Sequence, residues 1–536
     1  MENHFQANND FLGLWIRSMV NFPEWGSKMI EAALNKAEAL QILWKGIINS
    51  QNDFMTPSLG AMHSFSGVER EKLLRAQPHE TFMDYLELLQ FNIEIGTKGF
   101  THSLTTIMDY HLRHSSEALQ ATLHTIFGGE GEDIAAYTAR QTRLFDLVVN
   151  AYPKAILDIK SEYGLHFDNG GYNKIAETER FELYQVLPLN KDIEVKENSK
   201  PVVIIPPYVL GPNILAFLPA DNKSYIHCFA NQGIPTYIRI VKDIDTTPAV
   251  QAMTCEDDAL DTRYFCEQVM ARHGRPITLN GFCQGGYIAV LDLLSGELDG
   301  LVDALITCVS PMDGSRSKSL VEYIQHLPAR FRDLGYAVKT LPNGNKVVDG
   351  KVMSWVYKLK SMDLEAPIIT LYRDMAMLER SAGRSAKISK TAAAINHWMI
   401  YDRTDLPLGL TQMSFASYTK PVDKEGNLPV KLFGRQLNFK RLQEKGIKWL
   451  ICIAEKDDLI DEPAALAPLD YIEAEVSIFP KGHGAMATSW SLPTSECALH
   501  TCFCPAHTKF GDKCRGPVMY HLDLDAAGPN ASEASQ

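Results

Sequence analysis

Short apolar runs alternate with polar, helix-like stretches from about Lys200 onward, and this alternation constrains the fold more than any other feature. The runs KPVVIIPP, GIPTYIRIV, RPITLNG and LVDALITCVS are rich in β-branched and aliphatic residues. The stretch DDALDTRYFCEQVMARHG lies between the second and the third run and predicts a helix that ends at Gly274. Because strands that alternate with helices form parallel sheets covered on both faces, the sequence predicts an α/β fold.

The distribution of strand-like and helix-like stretches divides the chain into three predicted parts. Two further buried strands, IKWLICIA and AEVSIFP, resume the alternation after a long stretch that is rich in aromatic residues. We therefore predict a catalytic domain over residues 196–490, with a cap inserted at about 311–446. Residues 1–195 carry apolar residues at helical spacing and predict a helical N-terminal domain. Residues 491–536 predict an irregular tail.

Composition excludes several classes of protein. The chain has 536 residues and a net charge of −13, which disfavours a nucleic-acid binder. We found no apolar run long enough for a membrane span and no secretory signal at the N-terminus. Without such a signal the ten cysteines are not expected to form disulfides. The sequence thus predicts a cytoplasmic protein.

One cysteine stands in an unusual setting. The stretch Gly281-Phe282-Cys283-Gln284-Gly285 fits G-x-C-x-G, a nucleophile-elbow pattern with sulfur in place of oxygen. Small neighbours give room to the strained turn, and the start of the following helix favours a thiolate. The backbone N–H groups of Gln284 and Val209 are the predicted donors to an oxyanion. A buried cysteine in an ordinary glycine-rich turn is the alternative interpretation.

An acid and a base follow later strands in the order expected of a catalytic triad. Asp457 and Asp458 come directly after IKWLICIA, and His483 follows AEVSIFP. Each side chain therefore lies at the carboxyl end of a strand, where ligands bind in such sheets. Taken singly, the acids are typical of turns and the histidine is typical of a loop. In combination with Cys283 they predict a Cys-Asp-His triad, with Asp457 preferred because two apolar residues re-enter the core after Asp458.

With these motifs, the sequence resembles a known family, the polyhydroxyalkanoate synthases. GFCQGG is similar to the family's cysteine box, IAEKDDLID to its acid loop and PKGHGA to its histidine motif. VVIIPPYVLGPNILAFLP and INHWMIYDRTDLPLGL resemble its first-strand and cap segments. The resemblance implies an α/β-hydrolase fold and an acyltransferase that polymerises 3-hydroxyacyl-CoA with release of CoA. It assigns the nucleophile to Cys283, the acid to Asp457 and the base to His483.

The resemblance also implies which substrates, cofactors and partners the protein has. It implies that 3-hydroxyacyl-CoA and the growing polyester chain are the substrates, that no cofactor or metal is required, and that the chain forms a homodimer. It implies a location in the cytoplasm, at the surface of polymer granules. The chain departs from the family pattern at Leu210-Gly211 and Ala216, and the cap aspartate is shifted to Asp402. Aromatic residues of the cap, such as Trp355, Tyr357 and Trp398, either exclude water or form ordinary cap core.

Two other functions fit the same residues. The triad could pass its acyl group to water, as in a thioesterase or a polyester depolymerase. The chain could also be a non-catalytic protein of the granule surface. In the tail, Cys497, Cys502, Cys504 and Cys514 lack the C-x2-C pair of common zinc sites, so we predict no metal there.

Overall fold

The structure is a computed structural model with two compact units. It describes residues 13, 15–16, 18–73, 78–128, 131–318, 321, 337–353, 367–382, 388–457, 459–489, 509–510 and 513–515. Unit 1 comprises Met1–Gly60, Leu86–Ile159 and Trp355–Ala393. Unit 2 comprises Ala61–Tyr85, Lys160–Ser354 and Ala394–Gln536.

The α-helices of the described residues are given in chain order. They are α1 Phe22–Leu73, α2 Pro78–Phe127, α3 Ile134–Asp146, α4 Tyr152–Asp158, α5 Tyr225–Ala230, α6 Pro248–Gln251, α7 Cys255–His273, α8 Gln284–Ser295, α9 Pro367–Ala382, α10 Lys390–Tyr401, α11 Leu408–Thr419, α12 Lys440–Glu444, α13 Glu462–Ala465 and α14 His483–Ser489. A π-helical turn, Leu147–Ala151, joins α3 to α4. In the part of the chain that is described, no helix is both long and apolar enough to cross a membrane.

The strands fall into one large sheet and two small ones. They are β1 Tyr172–Glu177, β2 Phe181–Val186, β3 Val202–Ile205, β4 Thr236–Val241, β5 Ile277–Phe282, β6 Val302–Cys308, β7 Val338–Thr340, β8 Lys346–Val348, β9 Leu406–Pro407, β10 Asn427–Leu432, β11 Arg435–Asn438, β12 Lys448–Ala454, β13 Glu475–Phe479, β14 Lys509–Phe510 and β15 Lys513–Arg515. The small sheets are β7-β8-β9 and the hairpin β10-β11.

The large sheet has the order β1-β2-β4-β3-β5-β6-β12-β13-β15-β14. From β4 to β13 neighbouring strands run parallel, whereas β2 pairs antiparallel with both β1 and β4. Every residue of β3 and β5 is buried, as expected for parallel strands with helices on both faces. This order, with a cysteine elbow after β5, is that of the α/β-hydrolase fold, and the predicted fold class is confirmed.

The helix predicted before Gly274 illustrates how local sequence fixes an element. Thr254 caps the N-terminus of α7, and its side chain and that of Asp257 exchange hydrogen bonds with each other's backbone N–H groups. Acidic side chains occupy the first turn, where the helix dipole stabilises negative charge. Gly274 ends the helix in the left-handed conformation with φ of 65°. This helix packs beside α8, the helix that begins just after Cys283.

Unit 1 is a helical assembly built from separated parts of the chain. Helix α9, from the region predicted to be the cap, packs on α3 and on the π-helical turn. Its buried face includes Tyr372, Met375 and Leu378. Within the described residues, one group of potential metal ligands lies here, formed by His114, Glu117 and Glu379. Two arginines already pair with its carboxylates, which makes it an ion-pair network: Arg113 pairs with Glu379, and Arg140 with both glutamates.

Candidate active site

Cys283 occupies a strained turn between β5 and α8. Its backbone has φ of 52° and ψ of −123°, a conformation that costs an ordinary residue about 1–3 kcal/mol. The backbone N–H of Cys283 donates to the carbonyl of Cys308 on the neighbouring strand, at 2.7 Å. Its carbonyl accepts from Gly286 N–H at 3.0 Å. These bonds hold the elbow, and Cys283 is 7% exposed.

The glycines beside the elbow are required by close backbone contacts. A β-carbon on Gly281 would lie 2.3 Å from the α-carbon of Gly286. A β-carbon on Gly285 would lie 2.3 Å from the carbonyl oxygen of Ile205, at the end of β3. Real side chains do not approach backbone atoms so closely. The first turn of α8 is therefore pressed against the end of β3, as the G-x-C-x-G pattern requires.

The structure brings His483 and Asp457 into direct contact. The imidazole Nδ1 of His483 lies 2.8 Å from Oδ2 of Asp457. The other carboxylate oxygen, Oδ1, accepts the backbone N–H groups of Leu459 and Ile460, each at 2.9 Å. The carboxylate is thus fixed by two amides and orients the ring through Nδ1, which leaves Nε2 for proton transfer. Asp458, the alternative acid, lies outside the described residues.

The charge of Cys283 also acts on that imidazole. Nε2 of His483 is buried and has no hydrogen-bond partner among the described residues. Burial alone opposes the charged imidazole, but the charges of Cys283 and Asp457 outweigh it and raise the pKa of His483 to about 10. The ring therefore keeps its proton at neutral pH when Cys283 is a thiolate. Phe282 packs edge-on against the same ring, with centroids 6.2 Å apart.

The other described cysteines have a different environment. Cys228, Cys255, Cys266, Cys308 and Cys452 are buried and free, as is Cys283. Burial raises the pKa of the Cys266 thiol to about 12, and it raises that of Cys228 as well. The raised pKa values keep these two thiols protonated at neutral pH, and a protonated thiol is a poor nucleophile.

The two predicted oxyanion donors lie side by side, and one of them is already engaged. The backbone N–H of Val209 donates to Oε1 of the Gln284 side chain at 3.1 Å. Gln284 is 6% exposed and begins α8 directly after the nucleophile. The predicted donors are therefore linked through the Gln284 side chain, which sequence analysis did not consider.

A buried polar network anchors the residue before Val209. Nη1 and Nη2 of Arg239, on β4, donate to the two carboxylate oxygens of Asp258 at 2.8 and 3.0 Å. The hydroxyl of Tyr208 donates to the same carboxylate and accepts from Arg239 at 3.2 Å. Sequence analysis missed this network. An arginine inside the apolar run TYIRIV was the available signal, because a buried charge requires a partner.

The last turn of α10 and the residue after it contact the loop that follows β3. The indole N–H of Trp398 donates to the carbonyl of Leu210 at 2.9 Å. Asp402, the shifted aspartate of the cap motif, accepts hydrogen bonds from Tyr163 and Asn213, each at 3.0 Å. Burial raises the pKa of Asp402, although these two donors lower it. Trp355 and Tyr357 lie outside the described residues.

This arrangement is suited to nucleophilic chemistry at a carbonyl. Cys283 supplies a strained, nearly buried thiol at a helix N-terminus. His483 can accept or return a proton at Nε2, and Asp457 fixes its tautomer. Gln284, the residue after the thiol, binds the backbone N–H of Val209 through its side chain. The site contains the parts of an acyl-transfer centre.

The chain shows only distant similarity to known proteins. No protein-family model matches it, and neither does any curated protein. Among solved structures, a carboxylesterase of Nitrososphaera gargenis is 14% identical, with 59% of this chain and 92% of that chain covered and a TM-score of 0.32. An esterase of Thermogutta terrifontis is 13% identical, with 59% and 93% covered and a TM-score of 0.29. The thioesterase domain of the curacin pathway is 10% identical, with 60% and 95% covered and a TM-score of 0.31.

Proposed function

We propose that the protein is an acyltransferase that moves an acyl group from a thioester to a hydroxyl through an acyl-cysteine intermediate. One observation carries this proposal: the buried imidazole of His483 lies 2.8 Å from the Asp457 carboxylate, and its pKa is raised by the charges of that carboxylate and of the elbow cysteine, Cys283. A thiolate suits a thioester substrate, because the acyl-enzyme is itself a thioester and the exchange is nearly balanced in energy.

Acylation takes the following course. The Cys283 thiolate attacks the thioester carbonyl, and a carbon–sulfur bond forms as the carbonyl oxygen becomes an oxyanion. Backbone amides at the start of α8 and in the loop after β3 stabilise that oxyanion. The tetrahedral intermediate collapses and the carbon–sulfur bond to the leaving thiol breaks. The leaving thiolate takes the proton from Nε2 of His483, which leaves the imidazole neutral.

Transfer to the acceptor reverses the roles. The hydroxyl of the acceptor gives its proton to Nε2 of His483, and its oxygen attacks the acyl-cysteine carbonyl. An ester bond forms, the bond to sulfur breaks, and Cys283 leaves as a thiolate beside the protonated imidazole. Asp457 keeps Nδ1 oriented in both steps.

The substrate proposal comes from the sequence resemblance. GFCQGG, IAEKDDLID and PKGHGA resemble the motifs of polyhydroxyalkanoate synthases. We therefore propose 3-hydroxyacyl-CoA as acyl donor and the hydroxyl of another 3-hydroxyacyl unit, or of the growing polyester chain, as acceptor. The product is a polyhydroxyalkanoate, and one CoA is released for each unit added.

The test is CoA release from 3-hydroxybutyryl-CoA, with analysis of the product. We expect wild-type protein to release CoA with formation of polyester, and Cys283→Ala to release none. Cys283→Ser is the matched control for packing, since it keeps the side-chain size and removes the sulfur. It should retain the fold by circular dichroism and lose most of the acyl-transfer rate.

Other products would identify other functions. Free 3-hydroxybutyrate without polymer would mean that water is the acceptor, and the protein would be a thioesterase. Release of soluble hydroxyacids from added polyester would make it a depolymerase. Equal CoA release by wild type and Cys283→Ala would remove the catalytic role of the thiol and favour a non-catalytic granule protein.

A further inference from the structure

The loop after β3 contains a tight turn that bears on the proposed acyl transfer. The N–H of Gly211 donates to the carbonyl of Tyr208 at 3.4 Å, and Gly211 has φ of 69°. We name Tyr208–Gly211 the 208–211 turn. Successive backbone N–H groups in such turns form a concavity suited to an anion. Within the described residues the N–H of Val209 binds Gln284 and that of Leu210 makes no hydrogen bond.

Gln284 holds the turn from the side of the nucleophile. It is the residue after Cys283, so its backbone moves with the elbow. Its side-chain carbonyl accepts the N–H of Val209 at 3.1 Å, and the residue is 6% exposed. The bond therefore ties the position of the turn directly to that of the thiol.

Trp398 holds the turn from the side of the cap. Its indole N–H donates to the carbonyl of Leu210 at 2.9 Å, which fixes the plane of the peptide that follows Leu210. A β-carbon on Gly484 would lie 3.8 Å from the same indole, and Gly484 is the neighbour of His483. Trp398 thus binds the turn and leaves no room for more than a small side chain at the start of the helix that carries the base.

Tyr208, the first residue of the turn, is held by buried groups. Tyr208 is fixed by the hydrogen bonds to Asp258 and Arg239. A β-carbon on Gly211 would lie 3.5 Å from the carboxylate of Asp402. Gln284 binds the N–H of the first peptide of the turn, between Tyr208 and Val209, and Trp398 binds the carbonyl of the third peptide, between Leu210 and Gly211. The middle peptide, which carries the N–H of Leu210, therefore lies between two held peptides.

We propose that Gln284 and Trp398 are positioning residues for acyl transfer: they hold the first and the third peptide of the 208–211 turn, so that the free N–H of Leu210, in the peptide between them, faces the carbonyl oxygen of an acyl group at Cys283. This inference rests on the proposed function and goes beyond it, since it assigns a role to two side chains outside the triad. The side chains act through the backbone, because the donors themselves are N–H groups of the turn and of α8.

The test separates acylation from the reactivity of the thiol. Gln284→Met keeps the length of the side chain and removes the acceptor, and Trp398→Phe keeps an aromatic ring and removes the indole N–H. Acylation is measured as the rapid phase of CoA release from 3-hydroxybutyryl-CoA, and in parallel with p-nitrophenyl butyrate. Alkylation of Cys283 by iodoacetamide is measured across pH, since it needs the thiolate but no oxyanion donor.

We expect each variant to acylate about 10- to 100-fold more slowly than wild type, because a displacement of about 1 Å in a catalytic group costs up to about 10²-fold. The alkylation rate and its pH profile should stay at the wild-type values. The double variant should lose little more than the slower single variant, since both side chains hold the same turn.

Two control variants test whether the loss of any buried hydrogen bond slows acylation. Trp449→Phe removes a buried indole N–H that donates to Thr307 at 2.9 Å, and Gln251→Met removes a buried amide bonded to Ile244. Both should acylate at the wild-type rate.

Wild-type acylation by both positioning variants, or an equal loss of alkylation and acylation, would overturn the inference. If wild type reacts with the aryl ester but not with the CoA thioester, the proposed substrate fails while the positioning role is still measured on the ester. If wild type reacts with neither compound, the proposed function is wrong and this inference falls with it.

Discussion

At the level of single residues, the reactivity of a cysteine thiol comes from a charged neighbour and not from the burial of the thiol. Cys308 is a buried thiol at the end of β6, and Cys283 is a buried thiol directly after β5, whose last residue, Phe282, pairs in register with Cys308. Only Cys283 has a backbone at positive φ and an imidazole whose pKa responds to its charge. The imidazole in turn depends on Asp457, so the properties of the thiol derive from three side chains held by three different strands.

The first prediction concerns pH. The pKa of His483 is raised from 6.5 to about 10, so its proton stabilises the folded state in full below about pH 6.5. That contribution is lost as the pH rises through about 10. The free energy of unfolding of wild type and His483→Gln should therefore differ most below pH 6.5 and converge towards pH 10. Urea unfolding at several pH values measures this, and a difference independent of pH would contradict the raised pKa.

The second prediction concerns the carboxylate. Asp457→Asn keeps the shape of the side chain but places an amide where the His483 Nδ1–H donates, which disfavours the required tautomer. We expect the acylation rate to fall on the order of 10³–10⁴-fold, as in other triads. Asp458→Asn, one residue further on, is the matched control and should act as wild type. A larger loss with Asp458→Asn would exchange the roles of the two acids.

At the level of elements, the site is made by backbone packing at the ends of strands. The carboxyl ends of β3, β5, β12 and β13 precede the 208–211 turn, the thiol, the acid and the base, respectively. Sequence patterns predicted these positions because apolar runs mark buried strands and the polar residues follow directly. They did not predict how Gln284 and Trp398 bind the turn, since such contacts depend on loop conformation, which has no period in the sequence.

The third prediction tests that packing. Gly285→Ala places a methyl group 2.3 Å from the carbonyl oxygen of Ile205 and 2.6 Å from that of Pro206. Backbone atoms of β3 cannot yield as a flexible side chain would, so the first turn of α8 must shift. We expect a loss of about 1–3 kcal/mol in the free energy of unfolding, the usual cost of overpacking. Cys283 alkylation should slow in the same variant.

A control for this substitution lies elsewhere in unit 2. A β-carbon on Gly171 would have nothing within 4 Å, so Gly171→Ala should unfold at the wild-type denaturant concentration. Equal stability of Gly285→Ala and wild type in urea would show that the contact between α8 and β3 is looser than the structure indicates.

At the level of the whole molecule, the order of the chain does not match the division into units. Sequence analysis assigned residues 311–446 to a cap, yet Trp355–Ala393 clusters with the N-terminal helices in unit 1. The apolar face of α9 is visible in the sequence, but its partner is not, because an amphipathic pattern gives the buried face and not the helix that covers it. The parallel sheet itself could be predicted because strands that alternate with helices form βαβ units.

The last prediction follows from this division. Leu378 on α9 is 3% exposed, whereas its neighbour Met377 is 37% exposed. Leu378→Ala should lower the stability of unit 1 by about 2–5 kcal/mol, the usual cost of truncating a buried leucine, and Met377→Ala should have little effect. Hydrogen exchange would then speed up in α3 and α4, far away in sequence, while β5 and β6 keep their protection. Faster exchange in the strands of the sheet instead would mean that α9 stabilises unit 2, and that the two units do not divide the chain as described.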